Sequence, residues 1–203
     1  MSNNEVKKGG LSKNTMIIGA VVAVIAIWAI SAYNGMVEKN IAANETWAEV
    51  QSAYQRRADL IPSLVNTVKG YAAHERGTFE AVTEARNRAT QIVINADSIT
   101  PEKFQEFQAA QNELSQALSR LLAITEAYPD LKANQNFLNL QEQLEGTENR
   151  INEARNTFNK AVQKYNEKVQ KFPGNLLAGI FGFDVRSMFE ADANAQKAPE
   201  VQF

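Results

Sequence analysis

Residues 16–33 read MIIGAVVAVIAIWAISAY, and residues 34–65 continue as NGMVEKNIAANETWAEVQSAYQRRADLIPSLV. The first stretch carries no ionisable group until Tyr33. At about 1.5 Å per residue it covers roughly 27 Å, close to the hydrocarbon thickness of a bilayer, so it is long enough to span once. In the second stretch Val37, Ile41, Trp47, Val50, Tyr54, Ala58, Ile61 and Val65 step mostly by three or four, with Val68 and Ala72 following. That is the apolar seam of a helix. No loop composition separates the two stretches, so an anchor over residues 14–37 is expected to run directly into a helical rod.

Trp28 and Tyr33 lie towards one end of the apolar run, where amphipathic rings favour the headgroup layer. A cleaved signal peptide is the alternative, because Lys7, Lys8 and Lys13 precede the run and Ala29 and Ser31 suit a cleavage site. The length of the run and the helical pattern directly after it favour a retained anchor. Lysines on the short N-terminal side, against Lys39 among Glu38 and Glu45 beyond the span, place the N-terminus inside and the domain outside the cytoplasm. Gly19 and Ala23 form a small-xxx-small pair that lets two anchors approach, which makes a homo-oligomer one expected assembly.

Beyond Ala72 the pattern repeats. Pro62 deletes a backbone hydrogen bond and crowds the carbonyl of Ala58, so a bend is expected there. A second helix from about Thr78 presents Phe79, Val82, Ala85, Ala89 and Ile92, then breaks near Asp97. Thr100 as N-cap, Pro101 at the first helical position and Glu102 behind it open a third helix, which presents Phe104, Phe107, Gln111, Leu114, Leu118, Leu121, Thr125 and Tyr128. Pro129 is expected to stop it. A fourth helix over 133–172 sets Phe137, Leu140, Leu144, Thr147, Ile151, Ala154, Phe158, Ala161, Tyr165, Lys168 and Phe172 on one face. Short connections make sequential helices antiparallel neighbours. The expected fold is therefore all-α: a single N-terminal transmembrane helix continuing into an antiparallel up-down-up-down four-helix bundle, with long first and fourth helices and left-handed crossings. The expected organisation is a basic tail over 1–13, the anchor, a bundle domain over 38–173, an apolar segment over 174–190 and a disordered tail over 191–203.

Composition excludes several function classes. A chain of 203 residues with net charge −2 offers no whole-chain attraction for nucleic acid. The absence of cysteine removes disulfides, thiolate metal sites and cysteine nucleophiles. His74, the single histidine, stands beside Glu75 without the second histidine of a zinc-protease helix. Glu102 with Glu106 and Glu142 with Glu145 are pairs that helical rods carry on wet faces. With no phosphate-cradling glycine loop or nucleophile elbow, neither an enzyme nor a cofactor is expected.

Two residue groups remain as candidate sites. Arg56, Arg57 and Asp59 interrupt the first helix one turn before Pro62, level with Glu113 and Glu148 on other helices. An ion network around a kink is one reading, and a solvated charged face is the other. After Pro173, Leu176, Leu177, Ile180, Phe181, Phe183, Val185, Met188 and Phe189 concentrate apolar area where the bundle places the bilayer surface, with Lys164, Lys168 and Lys171 just before them. Such a segment suits the headgroup region and attracts anionic lipid; a cap over the open end of the bundle is the alternative.

The residues Tyr33-Asn34, Arg57-x-Asp59-Leu60-Ile61-Pro62-x-Leu64-Val65, Val68-Lys69-Gly70-Tyr71-Ala72, His74-Glu75, Ala85-Arg86, Tyr165-Asn166, Pro173 and Phe181-Gly182-Phe183 together carry a signature. On them the chain resembles the LemA family from the anchor to Phe183. The resemblance implies a bacterial protein with an N-terminal membrane helix and an antiparallel four-helix domain, and it implies no established biochemical activity. The expected role is a single-pass, membrane-anchored scaffold or adaptor of the bacterial cell envelope, with the lipid bilayer and unidentified envelope proteins as partners. A self-associating organiser of the membrane surface is the alternative.

Overall fold

The computed structural model describes residues 13–96 and 99–190. Lys7, Lys8, the break at Asp97 and the tail over 191–203 lie outside the described residues. Helix α1 runs Lys13–Lys69, α2 Arg76–Gln91, α3 Pro101–Ile124, α4 Pro129–Lys132, α5 Gln135–Gln170 and α6 Gly174–Phe181. Among the described residues there is no strand. The chain is all-helical, and the apolar run and the rod are one helix of 57 residues. At about 1.5 Å per residue that helix is roughly 85 Å long.

Local chemistry sets most of the boundaries. Thr100 caps α3 by accepting from the Lys103 backbone N–H at 3.3 Å, with Pro101 just inside. Asn134 caps α5 by accepting from Phe137 N–H at 3.0 Å. Helix α6 ends at Gly182, whose φ of 72° lets the Phe183 N–H turn back to the Ala178 carbonyl at 2.9 Å. Pro129 opens α4 rather than ending α3: α3 stops at Ile124 and tightens into a 3₁₀ turn over Thr125–Ala127. Proline's fixed φ suits the first turn of a helix as well as it forbids the interior.

The buried side chains form three clusters along the long axis. Farthest from the apolar run, Ile61, Val68, Phe79, Leu114, Leu121 and Phe137 pack together. Trp47, Tyr54, Phe104, Phe107 and Phe158 make an aromatic middle. Nearest the run, Met36, Tyr165, Val169 and Ala178 close the end, with Leu177 and Phe183 against them. Helices α1 and α5 pair along much of their length: Trp47 meets Phe158 at 5.3 Å between rings, and Arg57 meets Glu148 at 2.9 Å, so numbers rise along α1 as they fall along α5.

The expected seams hold through the outer cluster and most of the middle one, and shift from its Ala43 and Val162 end through the third. Ile41 is 51% exposed and Phe172 is 79% exposed, whereas Met36, Ala43, Val162 and Val169 are buried. Helices α2 and α3 contribute nothing to this last cluster, so α1 packs there on α5, α6 and Phe183 just beyond it. A narrower contact selects a different set of positions.

Candidate functional site

Arg57 is the one charged residue in the buried core of the described chain, with its side chain 2% exposed. Its Nη1 donates to Ser115 Oγ at 2.8 Å and to Glu148 Oε1 at 2.9 Å. Its Nη2 donates to the Gln111 carbonyl at 3.2 Å and to Gln111 Oε1 at 2.6 Å. The Tyr54 ring lies 5.0 Å from the guanidinium carbon. Gln111 in turn donates through Nε2 to the Ala89 carbonyl at 3.3 Å, so one polar layer ties α1, α2, α3 and α5 between the outer and middle clusters. A buried guanidinium needs this many acceptors because its desolvation is costly unless nearly every N–H is matched. Only Nε has no partner.

The other charged residues of the sequence-derived group do not join this layer. Glu113 pairs with Arg88 at 2.8 Å, Asp59 accepts from Gln55 Nε2 at 2.7 Å on an exposed face, and Arg56 is exposed. Pro62 acts one step away. As a proline it cannot donate to the Ala58 carbonyl, and Arg86 Nε from α2 donates to that oxygen at 2.7 Å. His74 is exposed at the turn between α1 and α2. The layer holds four helices at one level, with Arg57 buried at its centre and Glu148 half-exposed at its edge.

The second group lies at the apolar-run end. Tyr33 packs edge-on against Phe181 at 5.0 Å and against Phe183 at 5.6 Å, so α6 and the residues after it are seated on α1 just where the apolar run ends. Leu177 and Phe183 turn inward, while Leu176 at 59%, Ile180 at 73% and Phe181 at 53% remain exposed. Lys171 pairs with Glu167 at 2.9 Å, and this bonded ammonium holds the Glu167 carboxyl below the usual carboxylate range. Lys39 does the same for Glu38 at 2.7 Å. Lys168 is exposed on α5, with Nζ close enough to α1 to lie 3.8 Å from a Cβ placed on Gly35.

A family model described as the LemA family matches residues 46–203. The chain belongs to the LemA family. No curated protein matches it. The matched residues begin at 46, so the apolar run and the Tyr33-Asn34 part of the resemblance stand outside the match.

In this LemA protein the signature residues have structural positions that explain their types. Pro62 leaves the Ala58 carbonyl to Arg86, and Asp59 accepts from Gln55 one turn earlier on the exposed face of α1. Tyr71, just beyond α1, accepts at its hydroxyl from Asn134 Nδ2 at 2.8 Å, joining the end of α1 to the cap of α5. Asn166 clamps the backbone of Arg186 from both sides, donating to its carbonyl at 2.9 Å and accepting from its N–H at 2.9 Å.

That clamp belongs to a feature sequence reasoning missed. Residues 183–190 form an extended strap along α5. Asn159, one heptad from Asn166, clamps Phe189 in the same way at 2.8 Å in each direction. Phe189 is 6% exposed, 4.8 Å from the Phe104 ring, 6.2 Å from Trp47 and beneath the Arg155 guanidinium at 4.8 Å. Tyr165 donates from its hydroxyl to the Asp184 carbonyl at 3.0 Å, and burial pushes that hydroxyl above the usual tyrosine pKa. The available signal was two asparagines a heptad apart beside a helical seam. A side-chain amide offers one donor and one acceptor, which matches the backbone of one extended residue.

Proposed function

We propose that this LemA-family chain is a membrane-anchored helical scaffold or adaptor of the bacterial cell envelope that acts by position and contact and catalyses no reaction. The observation that carries this reading is the unbroken helix α1: its apolar end reaches a mean hydropathy of 2.4 over its most apolar window, none of it buried within the protein, and its other end forms one wall of the core. An exposed apolar surface of that length needs a solvent other than water. A partner bound on the rod is thereby held at a fixed height above the bilayer.

In this reading α1, α2, α3 and α5 form an antiparallel up-down-up-down four-helix bundle over 38–173, supported by the opposed register of α1 and α5 and by the polar layer that all four share. The N-terminus lies inside and the bundle outside the cytoplasm, on the lysine asymmetry. Helix α6 sits at the bilayer surface, where Leu176, Ile180 and Phe181 enter the headgroup region, while residues 184–190 lead away from it along α5, so the apolar segment expected near the membrane over 174–190 reaches it only through its first part. Crosslinking in native membranes, with the crosslinked bands identified, tests the adaptor role: discrete heterologous bands are expected. A ladder of this chain alone would instead favour a self-associating organiser, for which Gly19, where a Cβ would meet nothing within 4 Å, offers an open contact on the anchor.

A further inference from the structure

We infer that the cleft between α1, the end of α5 and the start of α6 is a binding site for one anionic phospholipid, with its phosphate held by Lys164 and Lys168 and its acyl chains against Trp28 and Phe172. The inference rests on the membrane reading above.

The cleft holds about 420 Å³ and has a lining of two chemistries. Trp28, Ala32, Met36 and Phe172 supply apolar surface; Lys39, Lys164, Lys168 and Lys171 supply four cations against the one carboxylate of Glu167. Two of these lysines are already occupied, Lys39 by Glu38 and Lys171 by Glu167. Lys164 and Lys168 make no ion pair within 4 Å among the described residues, Lys168 feeling the Glu38 carboxylate only at longer range, and they stand four apart on one face of α5. Two like charges on one face repel, and a bound anion removes that repulsion. Crowding of backbone shapes the site as well: a Cβ on Gly174 would lie 2.7 Å from the Lys168 carbonyl and 3.3 Å from Met36 Cε. Glycine therefore lets α6 begin hard against α5, which leaves Phe172 on the lip, 79% exposed.

The level of the cleft selects the occupant. If hydrocarbon ends near Tyr33, Met36 lies about 4.5 Å and Lys39 about 9 Å above it along α1. The headgroup layer is about 5–8 Å thick on each side, so Met36 and the Lys168 ammonium, beside Gly35, fall within it, Lys39 stands at its outer edge, and Trp28 faces it from about 7.5 Å on the hydrocarbon side of Tyr33. A free phosphate ion would satisfy the lysines and leave Trp28 and Phe172 uncovered. A diacyl phospholipid covers both.

The test uses the full chain reconstituted in nanodiscs of phosphatidylglycerol and phosphatidylcholine, with lipid retained after detergent exchange counted by mass spectrometry. Retained phosphatidylglycerol is expected to exceed its bulk share, and Lys164→Gln with Lys168→Gln to cut that excess by about five-fold for each lysine. Lys69→Gln with Lys132→Gln, on exposed positions far from the cleft, should leave it unchanged. Circular dichroism confirms that each variant is folded. Equal enrichment in wild type and cleft variant would overturn the site, and so would full displacement by an equal concentration of glycerol phosphate, which would identify a free-phosphate site. Alkaline carbonate extraction separates the two levels: a chain that stays in the membrane without lipid enrichment sinks this inference alone, whereas a chain released by carbonate sinks the anchor and this site with it.

Discussion

Arg86 Nε donates to the Ala58 carbonyl at 2.7 Å, and that carbonyl is the acceptor that Pro62 leaves without its own helical donor. A proline in the interior of a helix normally costs about 3 kcal/mol, part of it from the orphaned oxygen. Here a side chain from the neighbouring helix fills the vacancy, so the defect in α1 becomes a contact between α1 and α2.

Arg86→Met should therefore destabilise the fold by about 1–3 kcal/mol, the cost of a buried carbonyl without a partner. In a Pro62→Ala background the helix supplies its own N–H, and the same substitution should cost well under half as much. Chemical denaturation of the four members of the cycle checks this. Equal costs in the two backgrounds would show that Arg86 acts independently of the proline.

Glu148→Ala removes the carboxylate facing a guanidinium with 2% exposure. Glu148 itself is 41% exposed, so the loss should be somewhat less than that of a fully buried pair, about 2–4 kcal/mol. Glu113→Ala removes a partner of the half-exposed Arg88 and should cost no more than about 0.5 kcal/mol. Urea unfolding midpoints of the two variants decide between a pinned layer and a solvated charged face. A Glu113 effect as large as that of Glu148 would contradict the layer.

The contrast between those two glutamates marks where sequence reading stops. Periodicity finds Trp47, Phe104, Phe107 and Phe158 because an apolar residue at helical spacing has few places to go but inward. It also places Arg57 near the level of Glu113 and Glu148, since rise per residue is fixed. Which carboxylate the arginine meets depends on helix rotation, and a rotation of one residue step, about 100°, moves Glu113 from the layer to Arg88. The strap was illegible for a different reason. Its contacts run from side-chain amides to backbone, and neither Arg186 nor Phe189 has a period to reveal it. Ile41 failed as a core position because the seam rule assumes partners on every side, and at that level α1 has fewer.

Phe189→Ala should empty a site enclosed by Trp47, Phe104 and Phe158 and cost about 3–5 kcal/mol, within the range for buried phenylalanines. Asn159→Ala breaks one clamp while leaving the ring in place and should cost about 1–2 kcal/mol. Limited proteolysis between residues 183 and 190 should accelerate in both variants before the helices open. Cleavage rates equal to wild type would mean that the strap is not held by these groups.

The same strap carries a pH dependence. Burial raises the Tyr165 pKa above its ordinary value of 10.0, so the folded state holds the phenolic proton more tightly than the unfolded chain does. This contribution to stability is complete below about pH 10 and is lost as pH rises through the folded value. Difference absorbance between wild type and Tyr165→Phe should show one tyrosine ionising later than a free one. A difference transition at or below pH 10 would contradict the buried hydroxyl.

The central claim is that the apolar run and the domain share one continuous helix. The chain has no cysteine, so a pair of nitroxide labels can be introduced in one chain at the exposed positions Ser31 and Ser52 without disturbing native thiols. Pulsed dipolar spectroscopy of the full chain in lipid nanodiscs then reads their separation directly. One narrow distribution near about 32 Å of backbone distance is expected for 21 residues of unbroken helix. A broad distribution or a distinctly shorter mean would place a hinge between membrane and domain and contradict the account.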